Sequence, residues 1–302
     1  MVEVAYGDFF SAHDARTAAS ALQRGIGHAD RALELSPNDA RALGLRGALG
    51  YRYWLEDLPQ DATEAESVFA AARQDLEMAV DIDPALASAH SALSHLYFQT
   101  DDLLDVVLSA RRAYDADAYL SVADVILWRL YSGYYDLEQP DQAQRWCDEG
   151  RRRFPENFRF AQCRLWLMTT DVVVADSDEA WRLLEELATL VPIQDSTYQV
   201  HEAQMVVGGV LALAGLPDSA RSVLMAARAG RDVDPRVDLP FQEAYMRVLL
   251  GDHDEAVELL RRWVTAHPEA DHGIGAGGDI SWWWRDLLDY PPFRELVSGG
   301  AG

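Results

Sequence analysis

The sequence has 302 residues, 49% of them hydrophobic, which is enough for a large core and for one or two domains. Fifty acidic against 26 basic residues leave a net charge of −24, so the surface repels nucleic-acid phosphates and anionic lipid headgroups and favours basic or neutral protein partners. The longest apolar run, "MVVGGVLALAGL" at 205–216, has 12 residues against the roughly 20 that cross a bilayer, and the start "MVEVAYGDFF" lacks a charged segment followed by an apolar one. A soluble chain with no export signal and no direct membrane contact is expected.

In chain order, short helical stretches recur and stop at prolines. "HADRALELSP" ends at Pro37, "DLEMAVDIDP" at Pro84, "CDEGRRRFP" at Pro155, "LLEELATLVP" at Pro192 and "ELLRRWVTAHP" at Pro268. Twelve residues before these prolines stand Gly25, Ala72, Ala143, Ala180 and Ala256; eight before stand Ala29, Leu76, Cys147, Leu184 and Leu260; five before stand Ala32, Ala79, Gly150, Leu187 and Trp263. Spacings of four and three place these residues on one helical face. Two further copies keep the register without the proline: Val106, Ala110 and Ala113 before Ala118, and Ala220, Leu224 and Ala227 before Asp232. Another amphipathic stretch precedes each second helix, as in "ASAHSALSHLYFQTDD" and "FQEAYMRVLLGDHDEA", giving a helix-turn-helix unit that spans 34 residues from Pro84 to Ala118.

On these registers the sequence resembles the tetratricopeptide repeat (TPR) family, whose unit has 34 residues, small side chains where its two helices cross and a proline after the second. The resemblance implies an all-α, right-handed α-solenoid of about seven helix pairs, closed by a C-terminal capping helix. A superhelix over 1–268 would comprise units at about 6–39, 40–86, 87–120, 121–157, 158–197, 198–236 and 237–270, followed by a Gly-rich joint and capping helix at 271–302. An insertion, "LEDLPQDATEAES", between Gly47 and Ala72 is expected to project from one edge, and units four and five carry about three extra turn residues.

The stretches "SHLYFQTDDLLDVVLSARRAYDADAYLSVADVILWRLYSGYYDLEQ", "WCDEGRRRFPENFRFAQCRLWLMTT" and "WWWRDLLDYPPFREL" are similar to the TPR-rich C-terminal regions of bacterial serine/threonine kinases. The catalytic motifs of a kinase are not in the sequence, and "YGDFF" resembles DFG only superficially. The similarity implies a regulatory region, with a freestanding adaptor or a small-molecule sensor as the alternatives. It leaves the compartment as cytoplasmic, or outside the cytoplasm if a membrane span precedes the repeats in a longer protein.

Other motifs lead nowhere chemically. Gly273, Gly275 and Gly278 satisfy GxGxxG but follow a helix end rather than a strand, so they read as a joint. "HEAQM" at His201 has Met205 where a zinc protease needs its second histidine, and His90 and His95 are five residues apart, about 500° round a helix, so they do not converge on one ion. Carboxylate pairs such as Glu185 and Glu186 read as solvated faces. No cofactor, metal or catalytic set is expected. Cys147 and Cys163 form no CxxC pair and sit in apolar helices, so two buried thiols in a reducing compartment are expected, without a disulfide.

The TPR resemblance implies a concave surface built from positions 2, 5, 9, 12 and 13 of each first helix. The candidates for partner binding are Arg41, Tyr51 and Arg52 in unit two, Ser91, His95 and Phe98 in unit three, Arg129 in unit four, and Arg159, Gln162 and Trp166 in unit five. Arginine forks suit carboxylates and peptide carbonyls, and the aromatic rings can bury aliphatic side chains, so an extended or helical peptide of acidic or polar character is the expected ligand. The lysine and asparagine clamp for a terminal carboxylate is not matched. Finally, three adjacent indoles, Trp282 to Trp284, exceed the apolar stripe of one helix face. Asp279 or Ser281 can cap a helix through "WWWRDLLD" that stops at Pro291, and Trp282 or Trp283 with Leu287 is expected to seal unit seven, leaving one indole outward as a cation-π or partner contact.

Overall fold

A computed structural model describes residues 15–100, 102–193, 196–268, 274 and 281–299. Gly273, Gly275, Gly278, Asp279, the "YGDFF" stretch and the start of the first expected helix lie outside the described residues. Among the described residues the fold is all-α, without strands. It comprises α1 (Ala15–Leu35), α2 (Ala40–Leu55), α3 (Ala62–Ile82), α4 (Ala87–Phe98), α5 (Leu103–Ala116), α6 (Ala123–Asp136) and α7 (Pro140–Arg153). Then follow α8 (Phe158–Leu167), α9 (Ser177–Leu190), α10 (Ser196–Leu213), α11 (Pro217–Ala227), α12 (Leu239–Leu249), α13 (His253–Ala266), a 3-10 helix (Trp282–Leu287) and α14 (Pro291–Gly299). The chain divides inside α6 into two compact units, one ending at Leu130 and one beginning at Tyr131.

Local chemistry sets the helix ends. Asp39 accepts from the amides of Arg41 and Ala42 (3.0 and 3.1 Å) and starts α2, Asp61 caps α3, Asn157 caps α8 and Asp176 caps α9. Pro140 and Pro217 occupy the first turns of α7 and α11, where a missing N–H costs nothing. Two residues beyond α2, α6, α10 and α12 the backbone turns left-handed, at Asp57 (φ 52°), Glu138 (φ 55°), Gly215 (φ 77°) and Gly251 (φ 74°). Glycine takes this conformation freely; the two acidic residues hold it at a cost of about 1 kcal/mol each.

In the first unit, Leu76, Ala79, Ala89, Leu93 and Leu96 are fully buried or nearly so between α2, α3, α4 and α5. Each buried leucine stabilises by about 2 kcal/mol relative to exposure. The helices meet where side chains are small: a Cβ on Gly47 would stand 2.7 Å from Leu76 Cγ and 2.9 Å from the Ala72 carbonyl oxygen. Beside this crossing Arg46 donates to both oxygens of Asp75 (2.6 and 2.7 Å) and to Asp30 (2.9 Å), tying α1, α2 and α3 together. The insertion after Gly47 projects less than expected. Its second half is the start of α3, which runs for 21 residues, and Phe69 beyond it packs on Trp54 (4.7 Å) because the added turns carry an apolar face back over α2.

In the second unit the small positions again sit at crossings, with Ala143, Ala180, Ala220, Ala227 and Ala256 fully buried. A Cβ on Gly208 would stand 2.7 Å from Leu224 Cδ2. A buried ion network joins α12 to its neighbours. Glu243, 1% exposed, accepts from Arg228 twice (2.8 Å) and from Arg247 twice (3.0 and 2.8 Å), while Asp252 receives Arg247 and Arg221.

The cysteines require a correction. Cys147 on α7 and Cys163 on α8 are joined as a disulfide, with Cα atoms 5.9 Å apart. They lie 16 residues apart in the sequence, and the antiparallel return of α8 brings its buried face opposite that of α7. Reading each helix alone could place both thiols in the core but could not place them together.

The end of the chain also differs from the expected single helix. Ser281 accepts from the amide of Trp283 and starts a 3-10 helix, in which successive residues turn about 120° rather than 100°. The three indoles therefore diverge, with neighbouring ring planes at 86° and 81°. Trp284, Leu287 and Phe293, all fully buried, cover the last helix pair, and Trp284 Nε1 donates to the Ile274 carbonyl (2.8 Å). Trp283 and Leu287 share the sealing as expected, with Trp283 on Tyr245 (4.5 Å) and Phe241 (5.7 Å), and Trp284 adds the most deeply buried ring.

Candidate functional site

Seven of the ten candidate residues lie in the first unit. Tyr51 on α2 is buried, stands edge-on to the His95 ring of α4 at 5.3 Å and donates its hydroxyl to the His95 carbonyl (3.2 Å). Burial pushes the Tyr51 hydroxyl well above its ordinary pKa, against a small opposing pull from Arg129 and Arg52. Arg129 on α6 is 9% exposed and donates to the Ser91 carbonyl (2.8 Å) and to Ser94 Oγ (2.9 Å). Tyr51, His95, Ser91 and Arg129 thus form one row across the first helices of three successive pairs. Arg52 is half-buried in an ion pair with Glu56 (2.5 Å). Arg41 is exposed at the start of α2 and Phe98 is 40% exposed at the end of α4.

The other three lie in the second unit. Arg159 is half-buried, with its guanidinium 5.9 Å from the Phe158 ring centroid. Gln162 is buried and hydrogen-bonds Glu202 of α10. Burial pushes the Glu202 carboxyl up to about 7, opposed by the Gln162 hydrogen bond and reinforced by Asp238. Trp166, 6% exposed, is near-parallel to Trp283 (5.3 Å, 9°) and to Tyr245 (6.4 Å, 12°) and meets Tyr135 edge-on. Trp166 is therefore covered by the chain's own C-terminal segment.

Glu202 and Tyr245 were missed by the sequence reading, although their signal was present. The register that selects Gln162 at position 5 and Trp166 at position 9 of unit five selects Glu202 at position 5 of unit six and Tyr245 at position 9 of unit seven.

Around Tyr245 the structure holds a half-open cavity of about 370 Å³. Its aromatic walls are Tyr135, Tyr245, Trp282 and Trp283, and its remaining lining includes Thr169, Glu138, Asp171, Arg285 and Asp286. Thr169 organises the floor: its hydroxyl donates to the Trp166 carbonyl (2.7 Å) and bonds the Tyr135 hydroxyl (3.2 Å), and Tyr245 donates to its carbonyl (3.4 Å). Burial, partly offset by the Thr169 and Tyr135 hydrogen bonds, pushes the Tyr245 hydroxyl up to about 12. Both tyrosines are neutral donors at neutral pH. Among the described residues no group of three or more His, Cys, Asp or Glu is placed to hold a metal ion, and no helix is long and apolar enough to cross a membrane.

No protein-family model and no curated protein matches the sequence. The fold does have relatives among solved structures. A tetratricopeptide repeat protein from Parabacteroides merdae superposes with a TM-score of 0.54 at 12% identity, over 100% of this chain and 97% of that one. Weaker likenesses are to yeast Tom70 (TM-score 0.44, 14% identity, 84% of this chain and 57% of that one) and to YrrB, described as a TPR protein with an unusual peptide-binding site (TM-score 0.36, 16% identity, 80% and 93%). The protein has a TPR-like fold, built from stacked helix pairs.

Proposed function

We propose that this chain binds a peptide or protein partner along the first-helix face of its first unit, and that it is the non-catalytic regulatory region of a bacterial serine/threonine kinase. The observation that carries the binding reading is the internally bonded row of Tyr51, His95, Ser91 and Arg129, with Phe98 exposed one turn beyond His95 and Arg41 exposed at the start of α2. An internally bonded row with exposed aromatic and cationic groups on the same helices suits recognition at low entropic cost. Arg129 and Arg52 already hold acceptors within the fold, so Arg41 and Phe98 carry the outward contact. The kinase attachment rests on the sequence similarity alone.

A photo-crosslinking residue placed at Phe98 should capture a partner that the same residue at Leu108, 52% exposed on the second helix α5, does not capture. Equal capture from both positions would remove the reading. An in-frame kinase catalytic region encoded upstream of Met1 is the corresponding test of the attachment. The Cys147–Cys163 disulfide moves the expected compartment from the cytoplasm towards an oxidising one. Thiol labelling of the protein drawn from its native compartment tests this.

A further inference from the structure

The cavity beside the C-terminal tryptophans serves neither the first-unit face nor the closure of the last helix pair. Its walls are aromatic: Tyr135, Tyr245, Trp282 and Trp283 line it, with Trp283 stacked on Tyr245 (4.5 Å, 11°) and on Trp166 (5.3 Å, 9°) and therefore meeting the cavity at its uncovered parts. Its rim is acidic, with Glu138, Asp171 and Asp286 against one cation, Arg285, which is itself paired with Glu138. Rings attract cations over their faces, and carboxylates at the edge of a half-desolvated cavity strengthen that attraction. An anion would meet three carboxylates, and a neutral apolar ligand would use none of them.

Size narrows the class further. About 370 Å³ lies near the lower end of small-molecule pockets, which run from about 300 to 1,000 Å³, so the cavity admits a small molecule or one side chain and excludes a whole helix. The chain itself supplies an example of the chemistry, because the guanidinium of Arg285 reaches Glu138 across 147 residues of sequence. Glu138 also occupies a left-handed turn position (φ 55°), as Asp57 does after α2, where the turns after α10 and α12 have Gly215 and Gly251. A carboxylate stands there at some cost in backbone energy.

We propose that this cavity is a binding site for an organic cation, a guanidinium or alkylammonium group carried on a small molecule or on a basic side chain of a partner peptide. The second source rests on the partner-binding reading above; the first does not. The 302-residue chain is titrated calorimetrically with N-acetylarginine N-methylamide, with tetramethylammonium and with a Gly/Ser nonapeptide bearing one central arginine. The citrulline counterparts of the two arginine probes serve as neutral controls.

Arginine probes are expected to bind about tenfold tighter than their citrulline counterparts. Replacing Asp171→Asn together with Asp286→Asn should weaken them about fivefold. That pair removes only two of fifty acidic residues, so diffuse attraction to the net charge would barely change. Both positions are exposed, and the single Asp286→Asn variant serves as a second test should the pair fold poorly. Equal binding of arginine and citrulline, or binding indifferent to these substitutions, overturns the site. If it stands, small cations binding as tightly as the nonapeptide identify a free ligand, and a nonapeptide at least tenfold tighter identifies a partner side chain. Loss of the cation site with Phe98 crosslinking intact removes only this proposal; the reverse result removes only the partner-binding reading.

Discussion

Gly44 and Gly47 lie on the same helix, one turn apart, and replacing each with alanine separates helix propensity from the helix crossing. In an α-helix interior, alanine is about 1 kcal/mol more favourable than glycine, and that gain is common to both variants. At Gly44 the new methyl would meet Leu86 Cδ2 at 3.2 Å, the far end of a flexible side chain, with its next neighbours at 3.5 Å or more. Gly44→Ala should therefore stabilise by nearly the full propensity gain. At Gly47 the methyl would stand 2.7 Å from Leu76 Cγ, 2.9 Å from the Ala72 carbonyl oxygen and 3.1 Å from Asp75 Cβ. The backbone of α3 must retreat, straining the Arg46 to Asp75 pair held at 2.6 and 2.7 Å. Overpacking of this kind costs about 1–3 kcal/mol, so Gly47→Ala should be less stable than Gly44→Ala by about 2 kcal/mol. At about 3 °C per kcal/mol for a unit of this size, the melting temperatures should differ by about 6 °C. Urea unfolding and thermal melts followed by circular dichroism measure both variants side by side. Equal stabilisation by the two alanines would refute the close crossing of α2 and α3.

Three further outcomes are expected. Glu243→Ala should destabilise the second unit by about 3 kcal/mol in urea unfolding, because it removes two of the three carboxylate bonds of Arg247 and two of the three of Arg228, leaving Arg247 with Asp252 and Arg228 with Glu255; a loss below about 1 kcal/mol would show that the network is dispensable. The Glu202 carboxyl, pushed up to about 7 in the fold, favours folding while protonated, and that contribution, complete below the unfolded carboxyl pKa of about 4.3, fades as pH rises through 7. Glu202→Gln should therefore gain roughly 2 kcal/mol over the native chain at pH 8 and almost nothing at pH 4, the figure lying below the full displacement because Glu202 keeps some solvent contact. Reducing the Cys147–Cys163 bond, which closes a 16-residue separation, should cost about 3 kcal/mol, and alkylation of the unfolded chain should label two thiols only after reduction.

Much of the fold was legible because helix-pair repeats bury their surface against sequence neighbours. Ala72, Leu76 and Ala79 were placed on one face by their distance from Pro84 alone, and all three are buried against the preceding helix. The candidate site was legible only in part. The register placed Tyr51, His95 and Ser91 on one row, but the same reading gave Tyr51, Ser91, Arg129, Gln162 and Trp166 to a partner, whereas each is buried within the chain itself. A position number says which face a side chain leaves from and nothing about whether another segment arrives to cover it.

The division follows the distance over which each feature is encoded. Helix starts at Asp39 and Asp176, stops at prolines, and small residues at crossings are settled within one repeat, where propensity, capping and nearest-neighbour packing act. The disulfide between α7 and α8, the indole of Trp283 lying against Trp166 and Tyr245, the elevated Glu202 carboxyl and the pairing of Arg285 with Glu138 depend on which surfaces meet after the chain has folded back on itself. Such contacts draw their energy from burial and charge pairing between segments that no local pattern joins, so only the tertiary structure decided them.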